Sequence, residues 1–162
     1  MLCRWGYMLF ADPETALRET RRVLRSGGRV ALAAWDAPDQ NPWARSMGAE
    51  LVERGLAPPP DPEAPGMFSF AQPGRIEDLL AGAGFTEIVV EGVDVIFPVA
   101  SFDQWWEYQF DITPSLSETL AKATPEQRDE VYEGVQGRLE PFRAEDGSYA
   151  LPGRTLVASA EA

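Results

Sequence analysis

The spacing of apolar positions changes several times along the chain, and each change predicts an element. After Asp12 the period is helical. Ala16, Leu17, Thr20, Val23 and Leu24 fall on one side, and Arg18, Arg21, Arg22 and Arg25 fall mostly on the other. Asp12 has the chemistry of an N-cap, and Pro13 suits the first helical position because its missing N–H costs nothing there. Glu14 complements the positive end of the helix. Gly27 and Gly28 predict the stop, since glycine takes a left-handed cap without penalty. Val30-Ala31-Leu32-Ala33-Ala34-Trp35 is apolar on both faces, the pattern of a parallel strand covered on two sides. Leu2 to Met8 reads as the end of an earlier strand and its loop, so the opening 36 residues predict a βαβ unit.

Further on, a helix is expected from about Trp43 to Arg54, with Met47, Leu51 and Val52 inward. Residues 57–65 hold five prolines with Asp61 and Glu63, a stiff loop. Ile76, Leu79, Leu80 and Ala83 mark another helix, ended by Gly84. A strand follows over Glu87 to Phe97. Ile88 and Val90, then Val93, Val95 and Phe97, alternate around Gly92, where a bulge is expected. Residues 101–143 are helical in pattern. Ser101 can cap a helix over 103–110, and Thr124-Pro125-Glu126-Gln127 has the form of a capping box. A last strand is expected over Thr155 to Ala160, after a turn at Pro152-Gly153.

Charge and composition narrow the chemistry. The net charge is −12, yet residues 1–35 carry six arginines against Asp12, Glu14 and Glu19. The acidic remainder repels phosphate backbones, so no nucleic-acid partner is expected. Glu126, Asp129, Glu130 and Glu133 read as a solvated helix face. No apolar run reaches the ~18 residues of a membrane helix and no leader pattern opens the chain, so neither a membrane partner nor a signal peptide is expected. Cys3 is the single cysteine, consistent with a cytoplasmic protein. Histidine is absent, which removes the commonest general base and most zinc patterns. Asp61 and Glu63 alone do not make a calcium site, so no metal is expected.

In order, these motifs resemble a known family. Arg22-Val23-Leu24-Arg25-Ser26-Gly27-Gly28-Arg29-Val30, preceded by Cys3-Arg4-Trp5-Gly6 and Asp12-Pro13-Glu14, and followed by Leu79-Leu80-Ala81-Gly82-Ala83-Gly84-Phe85, resembles the C-terminal half of a class I S-adenosylmethionine-dependent methyltransferase of the small-molecule, type 11-like group. The resemblance covers most of residues 1–97 and the last ten or so. It implies an α/β fold, a partial Rossmann-like methyltransferase sheet with equivalents of the family's fourth, fifth, seventh and sixth strands in that order. The last strand of the chain would be antiparallel. Residues 1–162 would form one domain, with 99–150 a helical insertion.

By the same resemblance, Cys3, Arg4 and Trp5 flank the S-adenosylmethionine cofactor, and Tyr7, Met8 and Phe10 face the substrate. Trp35, Asn41 and Trp43 follow a strand on the ligand-facing edge, and Phe68 and Phe70 come from a loop over the same mouth; together they suggest an apolar acceptor pocket. Each of these residues can also be read as ordinary core, and Arg4 as either salt-bridged or aimed at a ligand. Trp105 and Trp106 point about 100° apart on a helix, which makes one of them core. Tyr7 or a nearby carboxylate could act as a base.

The family's glycine-rich loop after its first strand has no counterpart. Gly82-Ala83-Gly84 ends a helix rather than opening one. A methyltransferase-like protein without the cofactor-binding half is therefore expected, with cofactor binding by this chain alone doubtful. The isolated chain is not expected to be catalytically competent. Its acceptor is expected to be a small apolar molecule. The alternative is a non-catalytic binding or dimerisation module derived from the same fold. In either case the exposed edge of the first strand needs covering, by the missing N-terminal half or by a second copy in a homodimer. An α+β ligand-binding domain unrelated to methyltransferases is a third reading, which parallel pairing of the first two strands would oppose.

Overall fold

The computed structural model describes residues 1–61 and 64–162; Glu63 of the proline-rich loop lies outside them. The chain forms two compact units. The first comprises Met1–Gln40, Pro60–Val95 and Arg154–Ala162, and the second Asn41–Pro59 and Ile96–Gly153. The second unit thus takes in a segment well before residue 99.

Four strands, β1 (Leu2–Arg4), β2 (Arg29–Trp35), β3 (Thr86–Val99) and β4 (Tyr149–Glu161), make one mixed sheet in the order β1-β2-β4-β3. β1 runs parallel to β2, with Leu2, Cys3 and Arg4 opposite Ala31, Leu32 and Ala33. β4 runs antiparallel to β2, from Arg29 opposite Glu161 to Trp35 opposite Thr155. This is the α/β sheet that the sequence pattern implies. Parallel pairing of β1 and β2 also removes the reading as an unrelated α+β domain.

In the first unit, α1 (Pro13–Val23) links β1 to β2, and α3 (Arg75–Gly82) packs on α1. Asp12 caps α1, its Oδ1 accepting from the Thr15 amide at 2.9 Å. The helix ends before the glycine pair, because Leu24 is already extended. Val23, expected on the buried face, is accordingly 65% exposed. Gly27 then takes the left-handed step (φ 73°) that turns the chain toward β2.

Between Val30 and Ala34 the core lies on one side of the sheet. Val30, Leu32 and Ala34 of β2 are buried with Ala158 and Ala160 of β4, as are Leu17, Ile76, Leu79 and Leu80 of the two helices. Over that stretch the expectation of cover on two sides holds for one side only, whereas Trp35 and the opposite Thr155, at the end of β2, are buried on the other. Within the stretch, on that other side, Leu2 is 85% exposed and Val157 is exposed; with Ala31 and Ala33 they form a shallow groove.

Two strands depart from their expected form. In β3 the inward positions are Ile88 and Val90, then Val95, Phe97 and Val99. The parity changes near Gly92, and Val93, expected inward, is exposed. A Cβ at Gly92 would collide with the Arg154 guanidinium, which is held by Asp36 (3.1 Å) and Asp94 (2.7 Å). β4 is longer than expected and runs through Pro152-Gly153 without a turn. Pairing with β2 ends at Thr155, so Pro152 lies beyond that ladder and its missing N–H breaks no β2 bond.

The second unit contains α2 (Pro42–Glu53), α4 (Phe102–Ile112), α5 (Pro114–Ala121) and α6 (Pro125–Leu139). Ser101 caps α4 and the Thr124–Gln127 capping box opens α6, both as the sequence indicates. Val131, Val135 and Leu139 of α6 are fully buried, while Glu126, Asp129, Glu130 and Glu133 are exposed. Between α2 and α6 the buried Glu50 carboxylate accepts from Arg54 Nε (3.0 Å) and Arg138 Nε (2.7 Å). Arg138 also reaches Glu53, and Arg54 reaches Glu130. Trp105 is buried, and Trp106 packs edge-on against Phe110 and Tyr132. Among the described residues no helix is long and apolar enough to cross a membrane.

Candidate functional site

The ends of β1 and β2 carry a backbone outlier and an aromatic stack. Trp5 has a positive φ (55°), rare for a bulky side chain and typical of strained functional segments. Its amide still donates to Ala33 (2.9 Å), so the strain lies at the exit of the strand. The Trp5 ring stacks on Trp35 with centroids 4.3 Å apart and planes 17° from parallel. Its Nε1 donates to Thr155 Oγ1 (3.1 Å), which in turn donates to the Ala34 carbonyl (2.7 Å). The Arg4 guanidinium lies 4.8 Å from the centre of the Trp5 ring and forms no ion pair among the described residues. Of the two roles open to Arg4, salt bridge or ligand contact, the first is thus not realised there. Gly6 follows because space demands it: a Cβ would stand 2.7 Å from Cys3 Sγ.

Tyr7 and Met8 are packed into the first unit. Tyr7 is 2% exposed. Thr20 Oγ1 donates to the Ala16 carbonyl, so the Tyr7 hydroxyl donates to Thr20 at 2.5 Å. Burial raises the Tyr7 pKa above its ordinary value, which does not favour a role as base. The Met8 carbonyl accepts from the Gly66 amide (3.0 Å) and the Ser69 hydroxyl (2.7 Å), and thereby pins the segment 64–73.

Two cavities flank that segment. One, about 540 Å³, is bounded by Phe10, Asp12, Glu14, Phe70 and Arg75. The other, about 620 Å³, is bounded by Pro38, Asp61, Met67, Phe68 and Pro73. Pro65, Ser69 and Gln72 border both. The first follows β1 and the second follows β2, at the edge where open α/β sheets bind ligands. Both are of ligand size. The structure therefore brings Phe10, Phe68 and Phe70 to cavity walls, and Arg4, Trp5 and Trp35 into one stack. Asn41 and Trp43 belong to the second unit: Asn41 is buried at the start of α2, and the Trp43 ring meets Phe97 at 4.7 Å.

Asp12, Ser69, Gln72 and Arg75 were not evident as cavity residues from the sequence. Asp12 carries a sequence signal only as a cap, and the others carry none. Hydrogen bonds from Thr15 hold the Asp12 carboxyl below the usual carboxylate range, so it stays ionised at neutral pH. Among the described residues no three Cys, Asp or Glu side chains gather as a metal site. Nor does a glycine-rich turn join a strand to a helix N-terminus: α1 opens on Asp12-Pro13-Glu14 and α2 on Asn41-Pro42. The described residues thus lack the amide cradle a nucleoside cofactor's chain would need, and no chemical step through such a cofactor follows from them.

No family model matches the chain, and no curated protein does. Among solved structures, a protein of Bacillus halodurans described as a candidate methyltransferase aligns over 99% of this chain and 67% of its own, with 19% identity and a TM-score of 0.50. The YcgJ protein of Bacillus subtilis aligns over 99% and 62% at 18% identity, with a TM-score of 0.46. A Haemonchus contortus phosphoethanolamine N-methyltransferase 2, in complex with phosphomonomethylethanolamine and S-adenosylhomocysteine, aligns over 99% and 32% at 16% identity, with a TM-score of 0.43. The chain spans less than two thirds of the last two. Together with the strand order β1-β2-β4-β3, the first likeness shows that this chain has a methyltransferase-type, Rossmann-like α/β fold.

Proposed function

We propose that this chain forms the acceptor side of an S-adenosylmethionine-dependent methyltransferase, corresponding to the back half of that fold. The observation that carries the reading is the pair of ligand-sized cavities walled by the segments that follow parallel β1 and β2. Methyl transfer asks the protein chiefly to align a nucleophile with an activated methyl group and to exclude water. A histidine-free, cavity-bearing sheet edge suits that task. Cys3, Arg4 and Trp5 belong to the cofactor side and Phe10, Phe68 and Phe70 to the acceptor side. The cradle for the cofactor's amino-acid moiety comes from outside the described residues, so the chain by itself binds S-adenosylmethionine no more tightly than millimolar and is catalytically silent.

Fluorotryptophan labelling tests this. Millimolar S-adenosylmethionine should shift the resonances of Trp5 and Trp35 and leave that of Trp105 in place. No shift at Trp5 and Trp35 would count against the cofactor-side assignment, and micromolar affinity would overturn the claim that the chain alone is incompetent. The second reading, a non-catalytic binding or dimerisation module, is supported by the free outer edge of β1 and the exposed Leu2.

A further inference from the structure

The two cavities differ in chemistry. The wall after β2 is built from Pro38, Met67, Phe68, Ala71 and Pro73, with Asp61 as its charged residue among those described. The wall after β1 has aromatic sides, Phe10 and Phe70, but its charged groups are Asp12, Glu14 and Arg75. Arg75 stands 4.0 Å from Glu14 and is thereby offset. Asp12 remains anionic, with one carboxylate oxygen committed to the Thr15 amide. Neither cavity therefore presents a cation in excess of its acids. Pro65, Ser69 and Gln72 line both cavities, so the two chambers are neighbours. An apolar body gains by leaving water for the Met67–Phe68 side, in proportion to the area it buries. A polar end gains in the other chamber only if it can be offered to carboxylates, as a donor or a cation can and a carboxylate cannot.

We infer that the ligand of this edge is an amphipathic small molecule, its apolar body beside Met67 and Phe68 and its non-anionic polar end, an amine in preference, beside Asp12. The inference rests on the proposed reading of this edge as the acceptor site and adds the class of acceptor.

The test is a calorimetric titration of the full chain with three matched probes, phenylpropylamine, phenylpropanol and phenylpropionate. The amine should bind about tenfold or more tightly than the carboxylate, the difference one favourable charge contact makes, with the alcohol between them. Asp12→Asn keeps a good helix cap, so its fold is checked by melting temperature; it should reduce the amine preference to about threefold or less and weaken the alcohol less than the amine. Ala71→Trp should weaken all three probes about tenfold by filling the apolar chamber. Met67→Ala, which cannot overpack the loop, should also weaken all three. Tighter binding of the carboxylate, absence of binding by every probe, or an amine preference untouched by Asp12→Asn would each overturn the inference. Amine binding without a response of Trp5 and Trp35 to S-adenosylmethionine would sink the methyl-transfer reading alone. A cofactor response with carboxylate preference would sink the acceptor class alone.

Discussion

At Gly6, the absence of a side chain is what allows the strained Trp5 turn to close over Cys3. A methyl group there would meet Cys3 Sγ at 2.7 Å. Gly6→Ala should cost about 1–3 kcal/mol, the usual penalty for overpacking, read as a lower denaturant midpoint. Adding Cys3→Ala should recover much of that loss, because it removes the colliding atom; failure to recover would locate the cost in the backbone instead. Tyr132 offers a second test at this scale. Its hydroxyl donates to Asp103, and that bond, more than desolvation, pushes the Tyr132 pKa up to about 12. Its folded-state value is raised above the ordinary value of 10, so the stabilisation is complete below pH 10 and is lost as pH rises through about 12. Phenolate absorbance should show a tyrosine titration near pH 12 that Tyr132→Phe diminishes. Asp103→Asn should bring it down toward the ordinary range.

Among the elements, α2 and α6 are joined by a charged network whose centre is sealed. Glu50 is 6% exposed and accepts from two arginines. Glu50→Gln should destabilise by about 1–3 kcal/mol, since it weakens two charge-assisted bonds while both guanidinium groups still reach water. Gly134 gives a sharper test. Alanine in a helix is worth about 1 kcal/mol over glycine, yet a Cβ at Gly134 collides with the Glu50 carboxylate. Displacing a buried, paired carboxylate costs more than that gain. Gly134→Ala should therefore lower the melting temperature in the natural background and raise it alongside Glu50→Ala. Elements of this kind are where the sequence was most readable. The caps at Asp12, Ser101 and Thr124 each act through residues three positions away, so a local pattern suffices. The length of β4 and the grouping of Ser69 with Asp12 depend on partners dozens of residues distant, which no local period encodes. The Trp5–Trp35 pairing shares that limit: each ring reads as plausible core alone, and only the sheet register brings them face to face.

For the molecule as a whole, the exposed groove beside β1 and the outer edge of that strand bear on association. Ala31 donates to the Met1 carbonyl and Trp5 donates to Ala33, so the backbone groups of Leu2 and Arg4 point away from β2. With Leu2 exposed beside them, this edge is a template for another strand. A homodimer through β1 is proposed on that basis. The net charge of −12 opposes it, so the dimer fraction in light scattering should rise as salt screens the repulsion. Leu2→Glu should abolish it, and a clean monomer at high concentration and high salt would exclude this pairing. The stacked indoles at the end of β1 and β2 have an optical corollary. Two chromophores held 4.3 Å apart and nearly parallel share their excitation. Unfolding should therefore give an indole ultraviolet absorption difference spectrum that shrinks in Trp35→Phe by more than the loss of one chromophore, a spectroscopic gauge of this corner without any label.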